Sequence, residues 1–300
     1  MRSIRSIVTH PGQAHRDEFI ACCLVMAACN KEIRIERREP NILDLEDPEV
    51  FVIDIGGFYQ PEMGNFDHHQ RGREEEPICS ITLLMKEIGM NLEIAREVFP
   101  WLEFSEVLDV KGPISTAKEF DIPRESFFNT LSPIESQILH LFSQRKFIWP
   151  SYCSDLEGPT DLRFRSSVSS TMMLEIGKGL LDYYNEVQER LELLEETTRF
   201  TNIDGMEVVE VNIPGDKKPS LGVEIYLKEV APNVQVVISE DDRGDGMSLF
   251  RRVPAVNHAD IDFSRVEGRE DILFAHKGGF ICKTKSRKDP VFEIITEALR

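Results

Sequence analysis

No run in this 300-residue chain approaches the length of a membrane span, and Met1-Arg-Ser-Ile-Arg reaches the first histidine before a signal-type apolar region can form. Cysteine is sparse. The six thiols, Cys22, Cys23, Cys29, Cys79, Cys153 and Cys282, have no CxxC spacing, and three sit in one apolar stretch where a small buried hydrophobe fits, so a reducing, cytoplasmic setting is expected. Positive charge is also short: 35 Lys plus Arg stand against 53 Asp plus Glu, a net charge of -18. That balance repels nucleic acid at long range, so a polyanionic ligand requires a local basic or metal-lined patch. GxGxxG, P-loop and GxSxG motifs are missing, as are internal repeats and low-complexity tracts.

What is present is an ordinary globular composition, 41% hydrophobic and 29% charged, in a chain long enough for two domains. Residues 1 to about 115 alternate short apolar strands with helical stretches, as a parallel α/β sheet requires. Ile4, Ile7 and Val8 form a strand, Pro11-Gly12 break it, and Glu18 to Cys29 read as a helix. Further expectations are a strand at Ile33 to Arg37, loop from Pro40 to Pro48, a strand at Val50 to Ile55, and helices at Ile81 to Ile88, Trp101 to Val110 and Ile134 to Phe142. Val168 to Phe200 is the longest helical pattern. Strands are then expected at Glu207 to Val211, Leu221 to Tyr226, Val234 to Ser239, Met247 to Arg251 and Ile272 to Ala275, before a helix at Pro290 to Leu299. The domain reading is residues 1-150, a helical linker over 151-200, and a smaller α/β domain over 201-300.

Chemistry concentrates in the first third. The stretch VTHPGQAHRDEF, from Val8 to Phe19, puts two imidazoles and two carboxylates in a strand-to-helix turn, where open α/β sheets hold their sites. FVIDIGG, with Asp54, and NFDHHQ, with Asp67, His68 and His69, repeat that arrangement. Four of the seven histidines fall within the first seventy residues. Imidazoles mixed with carboxylates suit Mn2+ or another divalent first-row ion better than a thiolate-bound structural zinc. Asp54, ending an apolar strand, is expensive without compensation and is the natural bridge of a two-metal site, in which paired ions neutralise phosphoryl charge and activate water.

In order and interval, THPGQAHRDE, VIDIGG, NFDHHQRG and LDVKG resemble the successive motifs of the DHH phosphoesterase superfamily, which includes RecJ-type single-strand exonucleases, manganese pyrophosphatases and oligonucleotide phosphatases. THxGxxHxDE with FDHHQRG most resembles its melanocyte proliferating gene family of DHH-like exonucleases. The resemblance spans nearly the whole chain, because DILFAHKGGFI, from Asp271 to Ile281, is similar to the glycine-rich signature of the superfamily's C-terminal substrate domain. It implies a parallel-sheet DHH-type catalytic domain, a helical linker and a C-terminal α/β lobe closing over the substrate.

By the same resemblance, His10, His15 and Asp54 hold one ion, and Asp17, Asp54, His68 and Asp109 the other. His69 faces the substrate phosphate, with Asp67 orienting the pair. His15 stands where many members have aspartate, which bears on metal preference. The expected cofactors are two divalent ions, Mn2+ first, with Mg2+, Co2+ or Zn2+ as alternatives. For substrate contacts the reading names Gly278 and Gly279 beside Lys277, Lys283, Lys285 and Arg287, with Arg251 and Arg252 after a strand and Arg71 and Arg73 nearer the metals. Glu36-Arg-Arg-Glu39 reads as a solvated face. The expected activity is 3'-5' exonuclease action on single-stranded RNA or DNA. The alternatives are a small-nucleotide or short-oligonucleotide phosphatase and a catalytically silent nucleotide-binding module. No membrane partner is expected, and a homodimer is admitted.

Overall fold

A computed structural model describes residues 2–72, 75–123, 133–144, 147–148, 168–213, 218–252 and 261–299. The chain divides into two compact units, Met1–Tyr184 and Asn185–Arg300, each a mixed α/β assembly around its own sheet.

The first unit is built on β1 (Ser6–Thr9), β2 (Arg34–Arg37), β3 (Val50–Ile53), β4 (Tyr59–Gln60), β5 (Asn65–Phe66) and β6 (Phe147–Ile148), in the order β4-β5-β3-β1-β2-β6. β2, β1, β3 and β5 run parallel; β4 and β6 pair antiparallel to their neighbours. Alternation along the strands sorts the apolar side chains onto two faces. Ile7, Ile35, Phe51 and Ile53 join the large core with α1 (Arg16–Ala28), whereas Val8, Val50 and Val52 form a small cluster under Leu45 of α2 (Ile42–Glu46). α2 lies within the stretch expected to be loop. Asn41 caps it in a reciprocal box with Asp44, a signal present in the residues themselves.

α1 is buried nearly all round and packs against α3 (Ser80–Glu87), α5 (Trp101–Glu119) and α6 (Pro133–Ser143). Burial on all sides explains why its sequence is almost continuously apolar. α4 (Leu92–Val98) precedes α5, and α5 breaks at Gly112, whose φ of 75° and ψ of 170° lie outside the helical range. The neighbouring Pro113 lacks an N–H and cannot bond the carbonyl four residues back, so the break follows from composition.

The division between the units falls inside α7 (Val168–Thr197). The second unit contains β7 (Thr198–Ile203), β8 (Met206–Val211), α8 (Val223–Val230), β9 (Val236–Glu240), β10 (Met247–Arg251), β11 (Ile272–Ala275), β12 (Ile281–Thr284) and α9 (Val291–Leu299). Its sheet order is β11-β12-β10-β9-β8-β7, antiparallel except for β8 with β9, which α8 connects. Two sequence expectations fail here. Leu221 to Tyr226 is not a strand: Val223 and Leu227 are buried four residues apart on the helix α8. The helical pattern taken to Phe200 stops at Thr197, and β7 pairs with β8 through Asp204-Gly205, both at positive φ, in a two-residue hairpin turn. Among the described residues, no helix is long and apolar enough to cross a membrane.

Candidate metal centre

Strand register decides where the site forms. Thr9 pairs with Ile53, and Ile53 with Phe66, so β1, β3 and β5 end side by side. The next residues are His10, Asp54 and Asp67. The chain goes from β1 to β2 on one side and then crosses to β3 on the other, making this rim the switch point of the sheet, where open α/β folds leave a crevice.

Asp54 is at the centre. It is 3% exposed, has a left-handed φ of 59°, and donates its N–H to the carbonyl of Phe66. Aspartate tolerates that region better than most residues, and the turn aims its carboxylate across the strand ends. Its Oδ1 lies 3.1 Å from His68 Nε2 and 3.4 Å from Ser80 Oγ; its Oδ2 lies 3.5 Å from His10 Nε2. Three ligand-bearing groups share this residue: His10, His15 and Asp54; Asp17, Asp54, His68 and Asp109; and Asp54, Asp67, His68 and His69, each with ligand atoms within 4.8 Å of one another. The first two are the sets that the sequence resemblance implied. His15 and His69 are exposed at the rim, while Asp17, Asp54, Asp67 and His68 are buried.

Two of the carboxylates are fixed by backbone amides. Asp17 accepts the N–H groups of Ser80 and Ile81 at 2.9 and 2.8 Å, capping the N-terminus of α3 from another helix. Asp67 accepts from the amides of Gly57 and His69 at 2.6 and 3.0 Å and meets His69 Nδ1 at 2.7 Å. Asp109 stands in α5 just before its break, with Oδ2 2.7 Å from His68 Nε2. Asp109 Oδ2 is buried and faces this ring with no aligned hydrogen-bond donor.

The rim calls for positive charge. Burial opposes protonation of His10 and His68, yet Glu18 raises His10 to about 9, and Asp109 with Asp54 raises His68 to about 10. Burial, then the charges of Asp54 and Asp109, push the Asp17 carboxyl well above its ordinary range. Asp67 goes the other way: burial is outweighed by its bonds from His69 and Gly57, which hold it at about 2. Closely spaced carboxylates, imidazoles with raised proton affinity and one undonated buried oxygen are what a divalent cation would satisfy.

Two neighbours of this rim were not among the sequence candidates. Glu18, fully buried, meets His10 Nε2 and accepts from Arg37 Nη2 at 2.7 Å. Arg37 is not part of a solvated face: it lies two residues beyond Ile35 on β2 and so shares its inward side, 4% exposed. That period-two placement was the available signal.

The other named residues have partners of their own or are exposed. Arg71 pairs with Glu75 at 3.0 Å, and Arg73 is outside the described residues. In the second unit Lys283 is paired with Asp241 and lies 3.4 Å from Asp242, and Lys285 bonds the Glu270 carbonyl at 2.5 Å. Arg251 donates to the Ile261 carbonyl at 2.8 Å, Arg252 pairs with Glu224 at 2.7 Å, and Arg287 with Glu240 at 2.7 Å. Lys277 is exposed. The amides of Gly278 and Gly279 donate to His276, at 2.9 Å to Nδ1 and 2.8 Å to its carbonyl. Gly279 has φ of 65°, and a β-carbon there would fall 2.0 Å from Asp262 Oδ1, so turn and packing both require glycine.

The family model MYG1_exonuc, "Uncharacterised protein family (UPF0160)", matches residues 6–90, the segment that supplies His10, His15, Asp17, Asp54, Asp67, His68 and His69. The match stops at residue 90. A MYG1 protein of Dictyostelium discoideum is 23% identical over 94% of this chain and 93% of its own length. The MYG1 exonuclease of Homo sapiens is 38% identical over 74 residues, which are 23% of this chain and 18% of that protein. Among solved structures, a pGpG-specific phosphodiesterase from a Vibrio species aligns over 99% of this chain and 100% of its own, with 10% identity and a TM-score of 0.34. RecJ in complex with Mn2+ from Thermus thermophilus aligns over 98% of this chain and 52% of its own, with 12% identity and a TM-score of 0.28. Asp109 lies beyond the matched segment, and the fold brings it back to His68.

Proposed function

We propose that this protein is a metal-dependent phosphoesterase that removes nucleotides from an end of single-stranded RNA or DNA in the 3'-5' direction. The observation that carries the reading is the sharing of Asp54 by the two ligand groups at the aligned ends of β1 and β3. His10, His15 and Asp54 would hold one divalent ion and Asp17, Asp54, His68 and Asp109 a second, with Mn2+ first in preference. Such ions supply Lewis acidity toward phosphoryl oxygens and neutralise their charge. The chain's own part is to hold these donors rigid. His69, exposed and oriented by Asp67, offers a proton-bearing ring to a substrate phosphate. The exonuclease names carried by the MYG1 relatives support the same class.

The decisive experiment sets purified protein with Mn2+, Mg2+, Co2+ or Zn2+ against a labelled single strand, a dinucleotide and a mononucleotide. Stepwise shortening of the strand from its 3' end is expected, and no turnover with any ion would leave the silent binding module. One observation favours a second reading, hydrolysis of short oligonucleotides or small nucleotides: Lys283, Lys285, Arg252 and Arg287 already serve partners within the second unit. A long strand bound through several phosphates shows a log–log salt slope of roughly -0.7 per phosphate neutralised. Equal, shallow slopes for long and dinucleotide ligands would select the short substrate.

A further inference from the structure

The acid pair at the start of α1 has been assigned only by half, since Asp17 faces the cluster of ligands whereas Glu18 is buried beside it and lies outside all three ligand groups. Its carboxylate meets His10 Nε2 and accepts from Thr9 Oγ1 at 3.4 Å on one oxygen, while the other accepts from Arg37 Nη2 at 2.7 Å. Arg37 also donates to the carbonyls of Gly12 at 2.9 Å and Phe142 at 3.4 Å, and its guanidinium lies 4.7 Å from the Phe142 ring centre. One cation thus holds the turn that carries His10 and His15, the carboxylate beside it, and the end of α6.

The His10 ring is set through Nδ1. Nδ1 faces the Pro11 carbonyl at 2.8 Å, and a carbonyl can only accept, so Nδ1 carries a proton and Nε2 is the nitrogen turned toward Glu18 and Asp54. A free carboxylate in contact with that nitrogen would itself be a ligand for a cation bound there. Glu18 is not free, because Arg37, its side chain 2% exposed, is its ion-pair partner in a place closed to water.

We propose that the buried Glu18–Arg37 pair sets the composition of the His10 end of the centre: the Pro11 carbonyl fixes the His10 ring through Nδ1, and Arg37 withholds the neighbouring Glu18 carboxylate from a cation on Nε2. The inference rests on the two-ion reading above. It makes Arg37 a specificity-determining residue that keeps this end rich in imidazole. Without its charge, the site gains a carboxylate oxygen and moves toward the harder ions, Mn2+ and Mg2+, and away from Zn2+ and Co2+.

The test is equilibrium dialysis with elemental analysis and calorimetric titration of Mn2+ and Zn2+ into wild type, Glu18→Gln, Arg37→Gln and the double variant. Glu18→Gln, in which the carboxylate that Arg37 already withholds is gone, is expected to bind two ions with the wild-type Mn2+:Zn2+ ratio. Arg37→Gln is expected to raise the Mn2+:Zn2+ affinity ratio about tenfold, and the double variant, with no carboxylate to release, to show no rise. A changed Mn2+:Zn2+ ratio in Glu18→Gln, an unchanged ratio in Arg37→Gln, or the same rise in the double variant would each overturn the proposal. If Arg37→Gln does not fold without metal, recovery in Mn2+ but not in Zn2+ supports it, and equal recovery in the two overturns it. Wild type binding two ions with unaltered variants removes this inference alone, whereas wild type binding none removes the phosphoesterase reading with it.

Discussion

Asp54 combines burial, a left-handed backbone and contacts to His10, His68 and His69, and its behaviour on substitution follows from those together. Asparagine accepts the same φ and nearly the same volume, so Asp54→Asn removes charge without disturbing the turn. Activity should fall by about two orders of magnitude or more, since loss of even an outer-shell group costs metal sites that much. The metal-free protein should melt no lower than wild type, a buried charge having been removed. Near-native turnover by Asp54→Asn would refute the shared-ligand assignment. His68 and His69 provide a sharper contrast, one buried between Asp54 and Asp109, the other exposed with its ring held by Asp67. His68→Ala should lose an ion. His69→Ala should retain both ions and lose rate, and the same metal content and kinetics in the two variants would count against the division of roles.

At the level of elements, α5 shows how a break can serve a site. Gly112 has φ and ψ that glycine alone adopts comfortably, and an added β-carbon there would meet nothing within 4 Å, so the cost of Gly112→Ala is conformational rather than steric. We expect a loss of about 1–3 kcal/mol in thermal or denaturant unfolding. Because Asp109 stands three positions earlier, reduced binding of the ion it shares with His68 should accompany that loss. The β1–α1 turn and β3 were legible in the sequence because an apolar run, a breaker and a polar cluster coincide there. Asp109 was reached only through the resemblance, on the short motif LDVKG, and the fold returns it to the rim. Arg37 was hidden by its charged neighbours, although strand alternation put it inside. α8 was read as a strand because its short apolar run fits either period, and β7 was missed because the helical pattern was carried on to Phe200, over the start of the strand.

Across the molecule, the metal-free protein offsets its acidic rim with protons. His10 at about 9 and His68 at about 10 hold protons more tightly in the fold than at the ordinary value of 6.5, and the raised Asp17 acts with the same sign. The stabilisation from the two histidines is complete below about 6.5 and is lost as pH rises through 9 and 10. Chelator-treated protein should therefore show a falling Tm between about pH 7 and 10, and Mn2+ should flatten the fall because an ion needs those ligands deprotonated. A Tm that climbs over that range without metal would contradict the assignment. The aligned ends of β1, β3 and β5 have one more consequence. Neighbouring strands repeat at about 4.8 Å, a spacing fixed by backbone hydrogen bonds and indifferent to side-chain identity. The sheet acts here as a ruler: substitutions in the turns can change which ion is held, whereas the spacing between donor positions is inherited from the backbone and would yield only if the strands themselves parted.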